Sequence, residues 1–421
     1  MNFDTLNLNS HILANVHALG YTTPTPIQLQ SIPPILDGED VMGLAQTGTG
    51  KTAAFALPII QRLMEGAART GVRALIVAPT RELAQQIHEA IEEFAKGTRL
   101  KSMTLYGGVN INPQIKTIRS GVDIVVACPG RLLDHVQQNT INLSKVEVLV
   151  LDEADQMFDM GFLPSIRKIL RHLPKQRQTL LFSATMPKEI NELARDVLNK
   201  PVTVEVEHSK PKESVQQVLF PVAQHLKADL LINLLQKTEI DSVLVFTRTK
   251  HGAKKVAVKL EQAGFRATSL QGNLSQNKRL SAMNGFRDGS LQILVATDIA
   301  ARGIDVSTIS HVINFDMPST VEAYIHRIGR TGRADRVGEA YTLTLQEDDL
   351  LIRKIERTLG KKIEQRRVQD FNYDAKPVST PNNPTLRQAR PQQRSARNNT
   401  QQQRRRPDPR KASRPAAATT R

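Results

Sequence analysis

The chain has 421 residues, enough for two or three domains that each bury a core; 4% aromatics and no Trp argue against a base-stacking platform as the main way of holding nucleic acid. The formal charge of +16 favours polyanionic partners, but residues 372–421 carry 12 Lys/Arg against 2 Asp/Glu, so +10 of it sits in the last segment. The single cysteine, Cys128, excludes an intrachain disulfide and a cysteine-rich zinc site. It also fits a reducing compartment, the start MNFDTLNLNS lacks the regions of a secretory signal, and no run nears the ~18 apolar residues of a spanning helix. The expectation is a soluble, cytoplasmic protein with no membrane partner.

Along the chain, short β-rich apolar runs alternate with segments of helical period. The runs are RALIVA at 73–78, DIVVA at 123–127, VEVLVL at 146–151 and QTLLF at 178–182, then SVLVF at 242–246, QILVA at 292–296 and HVINF at 311–315. Runs apolar on both faces are what parallel strands covered by helices require. One intervening helix reads clearly: Thr249 as N-cap, apolar residues at Ala253, Val256, Ala257 and Leu260, and Gly264 to close it. The fold class is therefore α/β, with two tandem domains built on mainly parallel sheets. The boundaries fall at 1–207 and 214–371, with a polar linker at 208–213 around Pro211. From 372 to 421 the chain is rich in Arg, Gln, Pro and Asn and poor in large apolar residues, and it reads as a disordered basic tail.

The segment AQTGTGKT, Ala45, Gln46, Thr47, Gly48, Thr49, Gly50, Lys51 and Thr52, follows an apolar stretch at 41–45 and opens a helix. Gly48 and Gly50 let successive backbone N–H groups turn toward phosphate oxygens, and the helix N-terminus adds partial positive charge. Lys51 supplies a point charge to terminal phosphates and should stand exposed until nucleotide arrives; the Thr52 hydroxyl can ligate Mg²⁺. Directly after VEVLVL come Asp152, Glu153, Ala154 and Asp155. Ligands collect at the carboxyl ends of parallel strands, so Asp152 can hold Mg²⁺ through water while Glu153 deprotonates an attacking water.

With these two sites placed, the order of about ten motifs over residues 3–359 resembles the DEAD-box RNA helicases of superfamily 2, and the chain is most similar to the bacterial RhlE-type subgroup in its opening segment and in DMGFLPSIRKIL at 159–170. The resemblance implies two RecA-like domains, ATP and Mg²⁺ as cofactors and RNA as partner. It implies an ATP hydrolase that unwinds short RNA duplexes or remodels RNA–protein complexes. A superfamily 2 DNA translocase and a non-catalytic RNA-binding scaffold are the alternatives. Ribosome-assembly or RNA-decay complexes are the expected setting, and a monomeric motor the expected state.

It also assigns roles. GYTTPTPIQ at 20–28 looks like the Q motif, with Gln28 pairing to the adenine edge and Tyr21 packing near the base. Pro79, Thr80 and Arg81 of PTRELA, the pair Gly107 and Gly108, and Arg131 of CPGR are similar to RNA-backbone contacts. Cys128 departs from the usual Thr and reads as a small buried residue. Ser183 and Thr185 look like the SAT motif that, with Asp155 and His326, couples nucleotide to RNA. In the second half Thr247, Arg248, Gln276, Arg279, Thr297 and Arg302 resemble RNA contacts, and Asp305 a ribose contact. In YIHRIGRTGR at 324–333, His326, Arg327, Arg330 and Arg333 are hard to bury without anions, and Arg330 and Arg333 resemble arginine fingers.

Overall fold

The structure is a computed structural model and describes residues 2–46, 48–65, 71–206, 215–301, 309–332 and 338–376. Residues 1–375 group into one compact unit. The expected linker at 208–213, and the tail from 377 onward, lie outside the described residues.

In the first half the strands are β1 (Val41–Leu44), β2 (Ala74–Val77), β3 (Ser102–Leu105), β4 (Ile124–Ala127), β5 (Val148–Leu151), β6 (Gln178–Ser183) and β7 (Val202–Glu205). The helices among them are α1 (Ser10–Ala18), α2 (Pro26–Leu36), α3 (Lys51–Glu65), α4 (Arg81–Phe94), α5 (Ile111–Arg119), α6 (Pro129–Gln137), α7 (Ala154–Asp159), α8 (Leu163–Leu170) and α9 (Lys188–Val197). The second half has β8 (Val215–Pro221), β9 (Val243–Phe246), β10 (Ala267–Leu270), β11 (Ile293–Ala296), β12 (His311–Asn314), β13 (Gly338–Thr344) and β14 (Glu364–Gln365). Its helices are α10 (Lys227–Lys237), α11 (Lys250–Gln262), α12 (Gln276–Arg287), α13 (Asp298–Ala301), α14 (Val321–Ile328) and α15 (Asp349–Leu359).

All seven apolar runs are strands, within two residues at either end. Alternation along each strand feeds two cores. Ala74 and Ile76 pack on one face of the first sheet, Leu75 and Val77 on the other; Val243 and Val245 face one core of the second sheet, Leu244 and Phe246 the other. Every strand pairing is parallel. The order is β3-β4-β2-β5-β6-β1-β7 in one sheet and β10-β11-β9-β12-β13-β8-β14 in the other. Counted from its own first strand, the second sheet repeats the order of the first.

The helix α11 starts as its sequence demands, with the Thr249 hydroxyl accepting from Gly252 N–H, and Gly264 past its end has φ +91°. At the C-terminus the packing runs past the expected tail start at Asn372. Phe371, Tyr373 and Ala375 lie against the core beside β8 and β9, the Tyr373 hydroxyl accepts from Val368 N–H, and His225 meets the Ala375 carbonyl at 2.7 Å. Residues 371–375 are thus a strap on the second sheet, because an aromatic pair six and eight residues beyond β14 finds an apolar face to cover.

Candidate functional site

The loops at the carboxyl ends of β1, β5 and β6 converge. The phosphate loop is folded on itself: Lys51 Nζ donates to the Ala45 carbonyl at 3.0 Å and the Thr49 hydroxyl donates to the Gln46 carbonyl at 2.8 Å. Lys51 is buried, not exposed as its position suggested, because β1 ends under α3 and the loop carbonyl takes its charge. Gly48 and Gly50 both have φ near +90°, the left-handed region that glycine adopts freely. A Cβ at Gly50 would also meet the Gln28 amide at 2.4 Å.

Gln28 is fully enclosed. Its Oε1 accepts from Thr25 N–H at 2.9 Å, capping α2, and its Nε2 donates to the Gly50 carbonyl at 3.1 Å. The amide therefore ties the segment before α2 to the phosphate loop. Tyr21 is half-exposed and packs edge-on against Phe3 and Phe94.

Asp152 and Glu153 follow β5 and are both buried. Burial pushes the Asp152 carboxyl up to about 6; Lys51 opposes this, and Glu153 and Asp155 add to it. Its Oδ1 accepts from Glu153 N–H at 2.9 Å. Glu153 itself sits at φ +52°, ψ +52°, a left-handed conformation that a non-glycine residue holds only where the surroundings impose it. Asp155 is clasped by the segment after β6. Its Oδ2 accepts from the backbone N–H and hydroxyl of Thr185, both at 3.1 Å, and its own N–H donates to the Ser183 hydroxyl at 3.2 Å. Since the Ser183 carbonyl also accepts from Ala45 N–H, one hydrogen-bonded path joins the phosphate loop, the acidic turn and the SAT segment.

From the second half, α14 brings His326 and Arg330 to the same place. Gln46, Glu153, Asp155, Ala184, His326 and Arg330 line a single small cavity of about 30 Å³. Burial holds the His326 imidazole below its ordinary pKa, with Asp155 opposing and Arg330 adding to the depression. Arg327 does not face this cavity. Its anion is internal: Asp298 takes its guanidinium through two bonds of 2.6 and 2.7 Å, and the Phe246 ring lies beneath it. Of the residues expected here, Thr47, Asp305 and Arg333 lie outside the described residues. Thr52 occupies the first turn of α3, half-buried. Among the described residues no three His, Cys, Asp or Glu side chains form a metal cage.

A second opening, of about 570 Å³, runs across both halves. Pro79, Thr80, Arg81, Gly107 and Arg131 line it from the first sheet, and Arg248, Arg279 and Thr297 from the second. Thr80 caps α4 by accepting from Leu83 N–H. Gly108 (φ +77°) lies under the Arg81 guanidinium, where a Cβ would come within 2.3 Å of Nη1. Cys128 is buried at the N-cap of α6, and burial, with Glu82 adding, pushes its thiol up to about 12, which suits an inert residue. Thr247 is fully buried, its hydroxyl donating to the Thr249 carbonyl at 3.3 Å, so its side chain does not line the opening. Gln276 is also buried, its Oε1 accepting from Arg81 Nη1 at 3.0 Å. Arg302 lies outside the described residues.

Sequence reasoning missed several residues. Glu82 accepts from Arg279 Nε at 2.7 Å across the two halves, both side chains nearly buried. Met160, Phe162 and Ile299 give the opening an apolar wall, Ile299 being 66% exposed. The only sequence signal for these is a large apolar residue where an exposed turn would favour a polar one.

Comparison with known proteins agrees with this geometry. Residues 25–193 match the DEAD/DEAH box helicase model and residues 226–335 the helicase conserved C-terminal domain model. The DEAD-box ATP-dependent RNA helicase CshA of Geobacillus kaustophilus is 42% identical over 367 residues, 86% of this chain and 78% of that protein. The S. cerevisiae protein Dbp5 bound to RNA and ADP BeF3 superposes with a TM-score of 0.76 at 30% identity, covering 87% of this chain and 95% of that one. The DEAD-box helicase Mss116 bound to ssRNA and UDP-BeF gives 0.81 at 28% identity, over 88% and 81%. With two parallel sheets of one repeated topology, a phosphate loop joined through Ser183 to an acidic turn, and Arg330 arriving from the second half, the chain belongs to the DEAD-box ATP-dependent RNA helicase family.

Proposed function

We propose that the chain hydrolyses ATP when RNA is bound and uses the cycle to separate short RNA duplexes or remodel RNA–protein complexes. The observation that carries this is the meeting of Glu153 from the first sheet and Arg330 from the second around one cavity, since neither half alone holds both. ATP takes the phosphate loop, where Lys51 exchanges the Ala45 carbonyl for a phosphate oxygen. Gln28, already touching that loop, reads the adenine, and Tyr21 packs beside the base. Glu153 removes a proton from the attacking water. Arg330, with Arg333, takes up the charge that develops on the transferred phosphoryl group, an effect worth roughly 10³–10⁵ in rate in related NTPases. Asp305 takes the ribose. The path through Ser183, Thr185 and Asp155 to His326 couples this event to the strand-binding side.

Asp152 and the Thr52 hydroxyl suit Mg²⁺, which prefers oxygen ligands, keeps several waters and shares its coordination with substrate phosphates. When bound, Mg²⁺ neutralises phosphate charge there. The second opening takes the RNA backbone, along Pro79, Thr80, Arg81, Gly107, Gly108 and Arg131, and then Arg248, Arg279, Thr297 and Arg302. Thr247 and Gln276 support it from beneath.

We assign residues 1–207 and 214–371 to the two motor domains, the latter extended by the strap through Ala375. The chain acts as a monomer in the cytoplasm, within ribosome-assembly or RNA-decay complexes. Membership of the RhlE-type subgroup rests on residues 1–8 and 159–170; the Geobacillus kaustophilus relative described above carries the name CshA. No helix of the described residues is long and apolar enough to cross a membrane.

The test compares ATPase stimulation by RNA and by DNA of one sequence. RNA should stimulate and DNA should not; equal stimulation would make the chain a general nucleic-acid translocase. In the same assay Glu153→Gln should bind ATP and RNA yet release RNA far more slowly than wild type, by about 10²-fold or more. Wild-type release would remove Glu153 as the base.

A further inference from the structure

Arg131 arrives at the groove almost fully buried and with little freedom. Its Nη1 donates to Gln114 Oε1 at 3.0 Å, its Nη2 donates to the Val109 carbonyl at 3.0 Å, and its Nε stands 3.5 Å from the Asp134 carboxylate. Gln114, on α5, is buried and does not line the groove. It is the hub of a local network. Its Oε1 also accepts from His135 Nε2 at 3.1 Å, and its Nε2 donates to the Tyr106 carbonyl at 3.1 Å. The amide has one workable orientation: reversed, its NH₂ would face the Arg131 donors and its oxygen the Tyr106 carbonyl.

His135 completes the arrangement. It is fully buried, and its Nδ1 meets the Thr140 hydroxyl at 2.7 Å. Burial, then Arg131, holds its pKa below the ordinary value, so it stays neutral and keeps its one proton for Gln114.

We infer that Gln114 is a positioning residue for RNA, holding the Arg131 guanidinium and the 106–109 turn, with Gly107 and Gly108, as one unit that faces the strand. The physical gain is preorganisation. A guanidinium held by two fixed acceptors presents its remaining N–H groups without having to be ordered when a phosphate arrives. This rests on the reading of Arg131 as a backbone contact.

The test measures, on the full chain, the RNA concentration for half-maximal ATPase and the maximal rate at saturating RNA. Gln114→Met keeps length and volume and loses every hydrogen bond. It should raise half-saturating RNA about tenfold, the scale of a lost charge-assisted hydrogen bond, with an unchanged maximal rate. A merely structural role would lower the maximal rate through loss of folded enzyme and leave half-saturation in place. Gln114→Glu keeps the acceptor for Arg131 but sets an oxygen against the Tyr106 carbonyl, so it should raise half-saturating RNA clearly less than Gln114→Met does. In an Arg131→Ala background Gln114→Met should add nothing further. Should Gln114→Met fail to fold, Gln114→Asn, one methylene short of Arg131, replaces it. Unchanged half-saturation in the folded variant, full additivity with Arg131→Ala, or a Glu variant as weak as Met would each overturn the inference. If Arg131→Ala has no effect while Gln114→Met weakens RNA binding, the reading of Arg131 fails and the link through it with it; if Arg131→Ala weakens binding and Gln114→Met does not, only the positioning role fails.

Discussion

Lys51 and Asp152 lie on the same loop cluster, and Lys51 acts on the Asp152 carboxyl. Lys51 is buried against a carbonyl of its own loop, and its cation opposes the burial that raises the Asp152 carboxyl, which ends up at about 6. Lys51→Ala should therefore lower the RNA-stimulated ATPase by about 10²-fold or more, through loss of charge at the terminal phosphates. A wild-type rate in the pure variant would move the site elsewhere. The raised Asp152 pKa gives a second prediction. Holding Mg²⁺ needs the ionised carboxylate, so Mg–ATP affinity should fall as pH drops through about 6, and Asp152→Asn should lack that dependence. The stability of the nucleotide-free chain should show the opposite sign. The folded state binds this proton more tightly than the unfolded chain, so the group's contribution to stability grows as pH falls from about 6 toward 3.8. Thermal midpoints of wild type and Asp152→Asn across that window check it.

At the scale of elements, α4 and α12 form the strut between the two sheets. Arg81 bonds Gln276 and Glu82 bonds Arg279, so two adjacent residues opening one helix meet two residues one turn apart opening the other. The Glu82–Arg279 pair is nearly dry, and breaking one partner leaves a buried cation. Glu82→Gln should thus weaken the coupling between the two ligands: ATP should tighten RNA binding less than in wild type, by on the order of tenfold. RNA titrations with and without a non-hydrolysable ATP analogue measure this. Identical coupling in variant and wild type would reduce the pair to a surface contact. The α14 helix is fixed differently, through the paired bonds of Arg327 to Asp298, which aim Arg330 back at Glu153.

For the whole molecule, the repeated strand order places most motif loops at the carboxyl ends of strands, the segments 20–28 and 324–333 excepted, so two similar sheets present two rows of loops. The charge is distributed otherwise: residues 377–421 carry 11 Lys/Arg against one Asp and none of the motor motifs. Removing them should leave the maximal ATPase rate unchanged, raise the RNA needed for half-maximal rate and flatten the salt dependence of RNA binding. Equal salt slopes would exclude an electrostatic tether. A cut before Asn372 should in addition lower the thermal midpoint, because it removes the Tyr373 ring from the core and the Ala375 carbonyl from His225.

The α/β class, the strands and the catalytic loops were legible in the sequence because each depends on local chemistry. Short runs rich in valine and isoleucine, bounded by turn residues, suit doubly covered strands, and a glycine-rich turn before Lys51 and Thr52 suits phosphate. Burial and long-range partnership were not legible. Lys51 looks exposed in sequence and is buried; Thr247 looks like a contact and faces inward; Arg327 looks like part of the anion site and finds its anion in Asp298. Glu82 and Arg279 are 197 residues apart, and Gln114 and Arg131 are joined only because α5 and α6 flank neighbouring strands. A side chain's chemistry is written in its identity, whereas its exposure and its partner are set by which strands the chain places side by side, and that only the folded sheets decide.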